Sequence, residues 1–350
     1  MTGTTRRDFL TTVARATILP AFALHQNKID LASIHTRAEW RMAREKILAN
    51  MQLVMGELPK QKRPPVKIIR VHGEEAEAFN RLKIKYLSEG DDYVPAYLLI
   101  PHKRARRAPA MLCLHQTTRI GKDEPAGLGG NPNLHYAAEL AERGYVTLAP
   151  DYPYLGESNF DPYKRGYVSC TMKGIWNHIR AVDALQSLDY VDPQRIGSIG
   201  HSLGGHNTLF VAAFDQRIKA MVTSCGFNSF KKYYGGDLTG WSGVRYMPLI
   251  AEKYGKDPAR VPFDFPDILV ALAPRPLFIN APLRDSNFEV SGVRDCVDAA
   301  KTIYEKIFRA DNRLAAVYPD AGHDFPAEIR NQAYRFLERH LGPMGGLARR

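Results

Sequence analysis

The chain holds little that would cross-link it, anchor it in lipid or build a metal cage. Its 350 residues include four cysteines, Cys113, Cys170, Cys225 and Cys296, widely scattered and without a C-x-x-C pair. That spacing argues against a zinc ribbon and against a disulfide scaffold, and it favours free thiols in a core. No stretch reaches the roughly 20 apolar residues of a membrane-spanning helix. No internal repeat is visible. Gly (27) and Pro (23) suit a loop-rich globular chain and are too few for low complexity. No histidine–carboxylate pair has metal spacing such as H-E-x-x-H, so nothing in the sequence asks for a metal or another cofactor. What is present is ordinary: 45 % hydrophobic and 24 % charged residues, with an excess of eleven positive charges. Such an excess permits a nucleic-acid or anionic-membrane partner. Its short clusters at 60–63, 103–107 and 349–350 lack the interleaved aromatic and glycine spacing of a nucleic-acid module, so no nucleic-acid partner is expected.

The first residues read as an address. Residues 4–10 are T-T-R-R-D-F-L, with Arg6 and Arg7 just before Phe9 and Leu10. A weakly apolar run follows, interrupted by Arg15, and it ends in a small-residue A-x-A at 21–23. The order resembles a twin-arginine export signal, and residues 1–23 are set aside from fold reasoning on that basis. The segment holds three arginines and one aspartate, so its removal leaves an excess of nine. No cysteine follows the run, so a lipid anchor is not indicated. The reading implies export machinery as a partner and a periplasmic or secreted destination, with no stable membrane span.

Residues 24–64 supply one helix and a linker. Trp40, Ala43, Ile47, Met51, Val54 and Leu58 fall at three- and four-residue spacing, which predicts an amphipathic helix from Thr36 to Pro59. Residues 65–342 read as one α/β domain, with a short tail at 343–350. Strands are expected at 66–71, 82–86 and 97–100, the second alternating as a half-exposed edge strand. From residue 110 the pattern changes. Apolar strands at 110–114, 145–149, 195–199, 220–224, 277–280 and 314–318 alternate with helices at 133–143, 173–188, 203–213 and 290–307, and a last helix closes the chain. Strands apolar throughout and separated by helices predict a mostly parallel sheet with helices on both faces. Residues 226–265 break the rhythm. They hold Phe227, Phe230, Tyr233, Tyr234, Trp241, Tyr246 and Tyr254 without clear periodicity, and read as an insertion, or lid, that walls a pocket.

The chemistry centres on Gly200-His201-Ser202-Leu203-Gly204, a G-x-S-x-G match. It follows the strand R-I-G-S-I-G and precedes the helix L-G-G-H-N-T-L-F-V-A-A, the strand–turn–helix setting of a nucleophile elbow. A serine hydroxyl is a weak nucleophile and needs a base, and the base needs an orienting acid. In chain order the acid comes next and the histidine last. His323 lies in Y-P-D-A-G-H-D-F, a loop just past the last strand. Asp285 lies in A-P-L-R-D-S, after the strand L-F-I-N. Asp295 and Asp298 fall within the next helix, and Asp324 adjoins the imidazole it would have to hold. Two backbone N–H groups must meet the developing oxyanion. One is expected from Leu203. The other comes from the loop L-H-Q-T-T, from Thr117 or from Gln116, with His115 as a buried structural residue.

These residues carry a resemblance. The elbow G-H-S-L-G-G, residues 112–118, D-Y-P-Y-L-G-E-S at 151–158, residues 281–288 and A-G-H-D-F resemble the α/β-hydrolases, in the branch of dienelactone hydrolases and acetyl xylan esterases. Dienelactone hydrolases use a cysteine nucleophile. Ser202 stands here instead, which moves the expectation from lactones to ordinary carboxylic esters. The resemblance implies a Ser202–Asp285–His323 ester hydrolase working through an acyl-enzyme. Its expected substrate is a small-molecule or carbohydrate ester. Two other readings stay open: a serine peptidase of the prolyl-oligopeptidase kind, and an inactive hydrolase fold used for binding.

Overall fold

The computed structural model describes residues 28–342. The proposed export signal and the 343–350 tail therefore lie outside the described residues. In chain order the elements are α1 (Arg37–Met55), β1 (Ile68–Glu75), β2 (Phe79–Glu89), β3 (Asp92–Pro101), β4 (Ala108–Leu114), α2 (Tyr136–Glu142), β5 (Val146–Pro150), α3 (Cys170–Gln186), β6 (Val191–His201), α4 (Leu203–Phe214), β7 (Ile218–Ser224), α5 (Leu249–Glu252), α6 (Phe265–Leu272), β8 (Leu277–Asn280), α7 (Val290–Thr302), β9 (Leu314–Val317) and α8 (Ala327–Leu341). The strands form one nine-stranded sheet in the order β1-β2-β3-β5-β4-β6-β7-β8-β9. Strands β1, β2, β3 and β5 pair antiparallel, and from β5 through β9 every pairing is parallel.

Period-two side chains explain the two covered faces. On β4, Leu112 and Leu114 join a core with Ile175 and Ile179 of α3 and Leu209 and Phe210 of α4. Met111 and Cys113 point the other way, into a core with Leu140 of α2 and Phe336 and Leu337 of α8. Every residue of β4 and β5 is buried, as a strand covered on both faces requires. Between β4 and its neighbours the chain reverses its direction of travel across the sheet. Ligand sites in open α/β sheets open at such a switch point, outside the carboxyl ends of the strands. The loops after β4 and β6 meet there.

Two expectations need correction. Strand β2 is not an edge: it lies between β1 and β3, and β1, with Ile69 and Val71 exposed, is the sheet's rim. Its alternation of buried Ile84 and Tyr86 with outward lysines records one wet face, and an antiparallel strand can have that with partners on both sides. The aromatic insertion is not mainly a pocket wall either. Phe227, Phe230, Tyr233, Trp241 and Tyr254 are buried in the main core. Phe230 meets Trp241, Phe263 and Phe265 edge-on, at 5.5–5.8 Å between centroids. Tyr234 is exposed and Tyr246 half-buried. Aperiodic rings pack as readily as periodic ones when a loop folds back on a helix, here α6.

Helix α1 fastens this layer. Thr36 and Glu39 form a reciprocal cap at its start. One face buries Ala43, Ile47, Met51, Val54 and Met55. The other contacts are polar and distant in sequence. Trp40 Nε1–H donates to Val270 O at 2.8 Å, Arg44 Nη2 to Ala213 O at 2.6 Å and Asn50 Nδ2 to Pro262 O at 2.9 Å. Ala213 O lies in the last turn of α4, where carbonyls lack a partner within the helix, and Trp40 shares Val270 O with the N–H of Ala273, the C-cap of α6. Ile47 is fully buried beneath the helix. Ile47→Ala should therefore cost about 2–5 kcal/mol of stability, read as a lower urea midpoint at unchanged slope. A loss below about 0.5 kcal/mol, the usual size for a surface change, would mean that α1 is loosely docked.

Candidate active site

The nucleophile candidate sits where β6 turns into α4. Ser202 has φ 51° and ψ −116°, a strained backbone for a residue with a side chain. The surroundings enforce it. Ser202 N–H donates to Ser224 O at 2.8 Å, and Ser202 O accepts from Gly205 N–H at 2.9 Å. A Cβ on Gly204 would stand 1.8 Å from Leu114 O, and one on Gly200 would stand 2.2 Å from Gly204 O. Strand β4 thus passes so close to the first turn of α4 that only glycine fits.

Asp285 and His323 are brought together from separate loops after β8 and β9. His323 Nδ1–H donates to both carboxylate oxygens of Asp285, at 2.9 and 3.0 Å. The Asp285 side chain is buried, and that of His323 keeps 24 % exposure. Burial alone would raise the Asp285 pKa. The bond and charge of His323 and the N–H groups of Asn287 and Phe288 outweigh it, and the carboxyl is held below its usual range. Ser202 Oγ is not hydrogen-bonded to His323 or to any other described residue. Such bonds often close only around a substrate. The rivals are elsewhere: Asp295 pairs with Lys232 at 2.8 Å, and the Asp324 carboxylate accepts from Asn131 and Asn133.

The histidine loop is tied down by residues that the sequence analysis does not single out. Asn280, the last residue of β8, donates from Nδ2 to Asp324 O at 2.9 Å and to Ser224 Oγ at 2.8 Å. Ser224, the last residue of β7, lies 2.9 Å from Nδ1 of His201. The His201 ring meets the His323 ring edge-on at 4.8 Å. From outside, Arg330 Nη1 donates to Phe325 O at 2.6 Å and to Asn133 Oδ1 at 2.9 Å. Strand-end position is the only sequence signal these residues carry, and it is a weak one.

On the opposite wall His115 is buried, as expected. Its Nδ1–H donates to Gln116 O at 2.6 Å, and its Nε2 accepts Tyr152 N–H at 3.0 Å. Burial lowers its pKa, so it stays a neutral strut. Gln116 turns its amide to Glu124 at 3.1 Å, and Thr117 Oγ1 meets the Tyr246 hydroxyl at 3.0 Å. The N–H groups of Leu203, Gln116 and Thr117 have no acceptor among the described residues. Below this loop, buried Asp151 accepts Lys122 N–H at 2.8 Å, Lys122 Nζ at 3.0 Å and Glu157 N–H at 2.9 Å. That clamp gives D-Y-P-Y-L-G-E-S a physical role: it fixes the loop after β5 against the loop after β4. All four cysteines are free and buried, and Cys225 lies just past β7 rather than on it.

Comparison with known proteins adds the following. A sequence model of the prolyl oligopeptidase family matches residues 133–343, and one of an abhydrolase family matches residues 21–169. YtaP of Bacillus subtilis, whose name carries a provisional hydrolase assignment, is 27% identical over 302 residues, 82% of this chain and 96% of its own. A glucuronoyl esterase from Solibacter usitatus superposes with a TM-score of 0.67 at 19% identity, over 88% of this chain and 94% of its own. An acetyl xylan esterase from Paenibacillus sp. R4 gives a TM-score of 0.60 at 16% identity, over 92% and 100%. At such identities the structural likeness speaks for the fold.

Burial dictates the acid response. His178, His201 and His206 are each pushed down to about 3 by desolvation. The unfolded chain binds protons on these rings below its ordinary histidine pKa while the native state does not, so their contribution is complete above that pKa and lost as pH falls. Asp264 and Asp267, raised by burial to about 6 and about 7, act in the opposite sense. With His115 also lowered by burial, the lowered rings outnumber the raised carboxyls, so the unfolded chain holds more protons than the native one near pH 5.5. Stability should therefore fall as pH is lowered from 6 to 5. Urea titrations at pH 8, 6 and 5 measure this, and a stability that rose towards pH 5 would contradict it.

Proposed function

We propose, from a chain that belongs to the prolyl oligopeptidase family and folds as an α/β-hydrolase, that this protein is a serine-dependent carboxylic ester hydrolase acting on acylated carbohydrate. The observation that carries the reading is the pair of bonds from His323 Nδ1 to Asp285, on the same rim of the sheet as a serine in a strained elbow. Ser202 Oγ attacks the ester carbonyl carbon as its proton passes to Nε2 of His323. Asp285 holds the ring by Nδ1–H and stabilises the imidazolium. The N–H of Leu203 and that of Thr117, with Gln116 as the alternative donor, receive the oxyanion. Collapse expels the alcohol, which takes the proton from His323. Water then attacks the acyl carbon as its proton passes to His323, and collapse releases the acid while His323 returns the proton to Ser202 Oγ. No metal or other cofactor enters these steps.

The carbohydrate part rests on likeness of fold to glucuronoyl and acetyl xylan esterases and on exposed rings near the site. Tyr234 is exposed, with its hydroxyl donating to Asn287 of the Asp285 loop at 3.2 Å. Tyr154, on the loop after β5, is also exposed. Flat aromatic faces suit sugar rings. The family match favours one other reading, a serine peptidase. No helix among the described residues is long and apolar enough to cross a membrane. The reading extends to action outside the cytoplasm, on the strength of the arginine pair and A-x-A segment alone.

Four outcomes are expected. Ser202→Ala should lower kcat for p-nitrophenyl acetate by at least about 10³-fold, and Asp285→Asn by about 10⁴-fold. A fluorophosphonate should label the parent at Ser202, and retention of activity within tenfold in Ser202→Ala would remove the serine from the mechanism. Acetylated xylan oligosaccharides should be cleaved well ahead of peptide p-nitroanilides assayed alongside, and the reverse ranking would install the peptidase. Changing Arg6 and Arg7 together to lysine should leave the activity inside the cell.

A further inference from the structure

One group of side chains at the site joins the proposed base to two residues, His201 and Cys225, that none of these steps uses. His201, Cys225 and His323 each offer a ligand atom, and these atoms lie within 4.8 Å of one another. Among the described residues no other set of three histidine, cysteine or acidic side chains is gathered in this way. We propose that a thiophilic divalent cation, zinc in the first place, binds between His201, Cys225 and His323 and reversibly silences the enzyme by occupying its base. The inhibitory part rests on the reading of His323 as the base; the binding part does not.

The arrangement around the three ligands supports a metal. Metal-binding imidazoles usually have their second ring nitrogen held by an oxygen, which fixes the ring and its tautomer. Both rings here are held so: Nδ1 of His201 by Ser224 Oγ at 2.9 Å, and Nδ1 of His323 by Asp285 at 2.9 Å. Nε2 is then the nitrogen that each ring would give to the ion. Ser224 Oγ accepts from Asn280 Nδ2, and its own hydroxyl lies 3.9 Å from Cys225 Sγ, placed to donate to a thiolate. Cys225 has φ 47°, and its Sγ lies 3.4 Å from Asp324 O in the histidine loop. Zinc takes sulfur at about 2.3 Å and nitrogen at about 2.0–2.1 Å, so tetrahedral neighbours stand about 3.3–3.7 Å apart. The cluster therefore has to close by about an ångström, within the reach of side-chain rotation. Two nitrogens and one sulfur select zinc, cobalt or cadmium over magnesium and calcium. The fourth position is left to water, as in other three-ligand zinc sites.

Binding involves no redox change. The Cys225 S–H bond breaks, its proton leaves to solvent, and a metal–sulfur bond forms while both imidazoles give a lone pair. With Nε2 of His323 bound to metal, the serine proton has nowhere to go. His201 and Cys225 are buried, and His323 is the partly exposed member through which an ion arrives.

The test uses the full chain carrying Ser202→Ala, titrated with cobalt(II) as a spectroscopic probe. Expected are a thiolate-to-cobalt charge-transfer band in the near ultraviolet and its loss on addition of zinc, with no response to magnesium. Cys225→Ala on this background should lose the band, and His201→Gln should weaken cobalt binding at least tenfold. Cys225→Ser, checked for folding by circular dichroism, stands in if the alanine variant does not fold. In the chain with Ser202 intact, zinc should inhibit ester hydrolysis and a chelator restore it. With each variant normalised to its own zinc-free rate, Cys225→Ala should need at least tenfold more zinc for half inhibition. Absence of the cobalt–thiolate band would overturn the site, as would equal zinc sensitivity of Cys225→Ala and its parent. The cobalt spectrum does not depend on turnover, so a normal band in a protein that hydrolyses no ester would overturn the function above and leave the site standing.

Discussion

The first turn of α4 lies so near the carbonyl end of β4 that it admits no side chain at residue 204, and the rest of the site is arranged around this approach. A side chain at residue 204 would collide with Leu114 O, so helix and strand can come this near only across glycine. The nearness bends Ser202 out of ordinary backbone geometry and leaves the Leu203 N–H without an acceptor. Strain of this kind costs about 1–3 kcal/mol and persists only where its surroundings hold it. Here they include a parallel ladder from Leu114 to Gly200 and from His201 to Ser224. The energy of a well-packed sheet is thus converted into the exposure of one hydroxyl.

Loops rather than strands carry the other functional groups, and each loop is tethered by buried polar bonds. Asn280 holds the histidine loop from below, Arg330 and Asn133 hold it from outside, and Asp151 with Lys122 braces the opposite wall. Neither Lys122 nor Asp151 has any exposed side-chain surface. Deleting one partner of such a pair strands a charge in the interior, a larger penalty than the pair itself is worth. Tethers of this sort set loop positions to fractions of an ångström, which proton transfer between side chains requires.

What the sequence makes legible follows from the range of the forces involved. The elbow is local: glycine spacing, a strand before it and a helix after it fall within some twenty residues, and all are readable. The parallel strands are legible because burial on both faces leaves unbroken apolar runs. Chain order points to Asp285 and His323, and the folded chain brings these two together. The position of β2 inside the sheet is not legible, because alternation reports which face is wet and says nothing about lateral partners. The burial of Phe230 and Trp241 is not legible either, since it depends on α6 and α1 arriving from far away in sequence. Asn280, Ser224 and Asp151 are single polar residues at strand ends. Their value lies wholly in what the fold sets beside them.

Helix α1 bears on how the chain matures. Its donors Trp40, Arg44 and Asn50 wait for acceptors 230, 169 and 212 residues downstream. While the polypeptide emerges from the ribosome, this helix has a finished apolar stripe and nothing to lay it on until residue 270 has been made. The aromatic layer around Trp241 in turn lacks a cover until α1 returns. First-made and later-made segments complete one another, so neither is covered until both exist. Contacts of such long range slow the search for the native state. A trimmed version of this protein, begun after the linker to spare length, would keep every residue of the proposed chemistry and leave the aromatic layer beside α6 without its fastening.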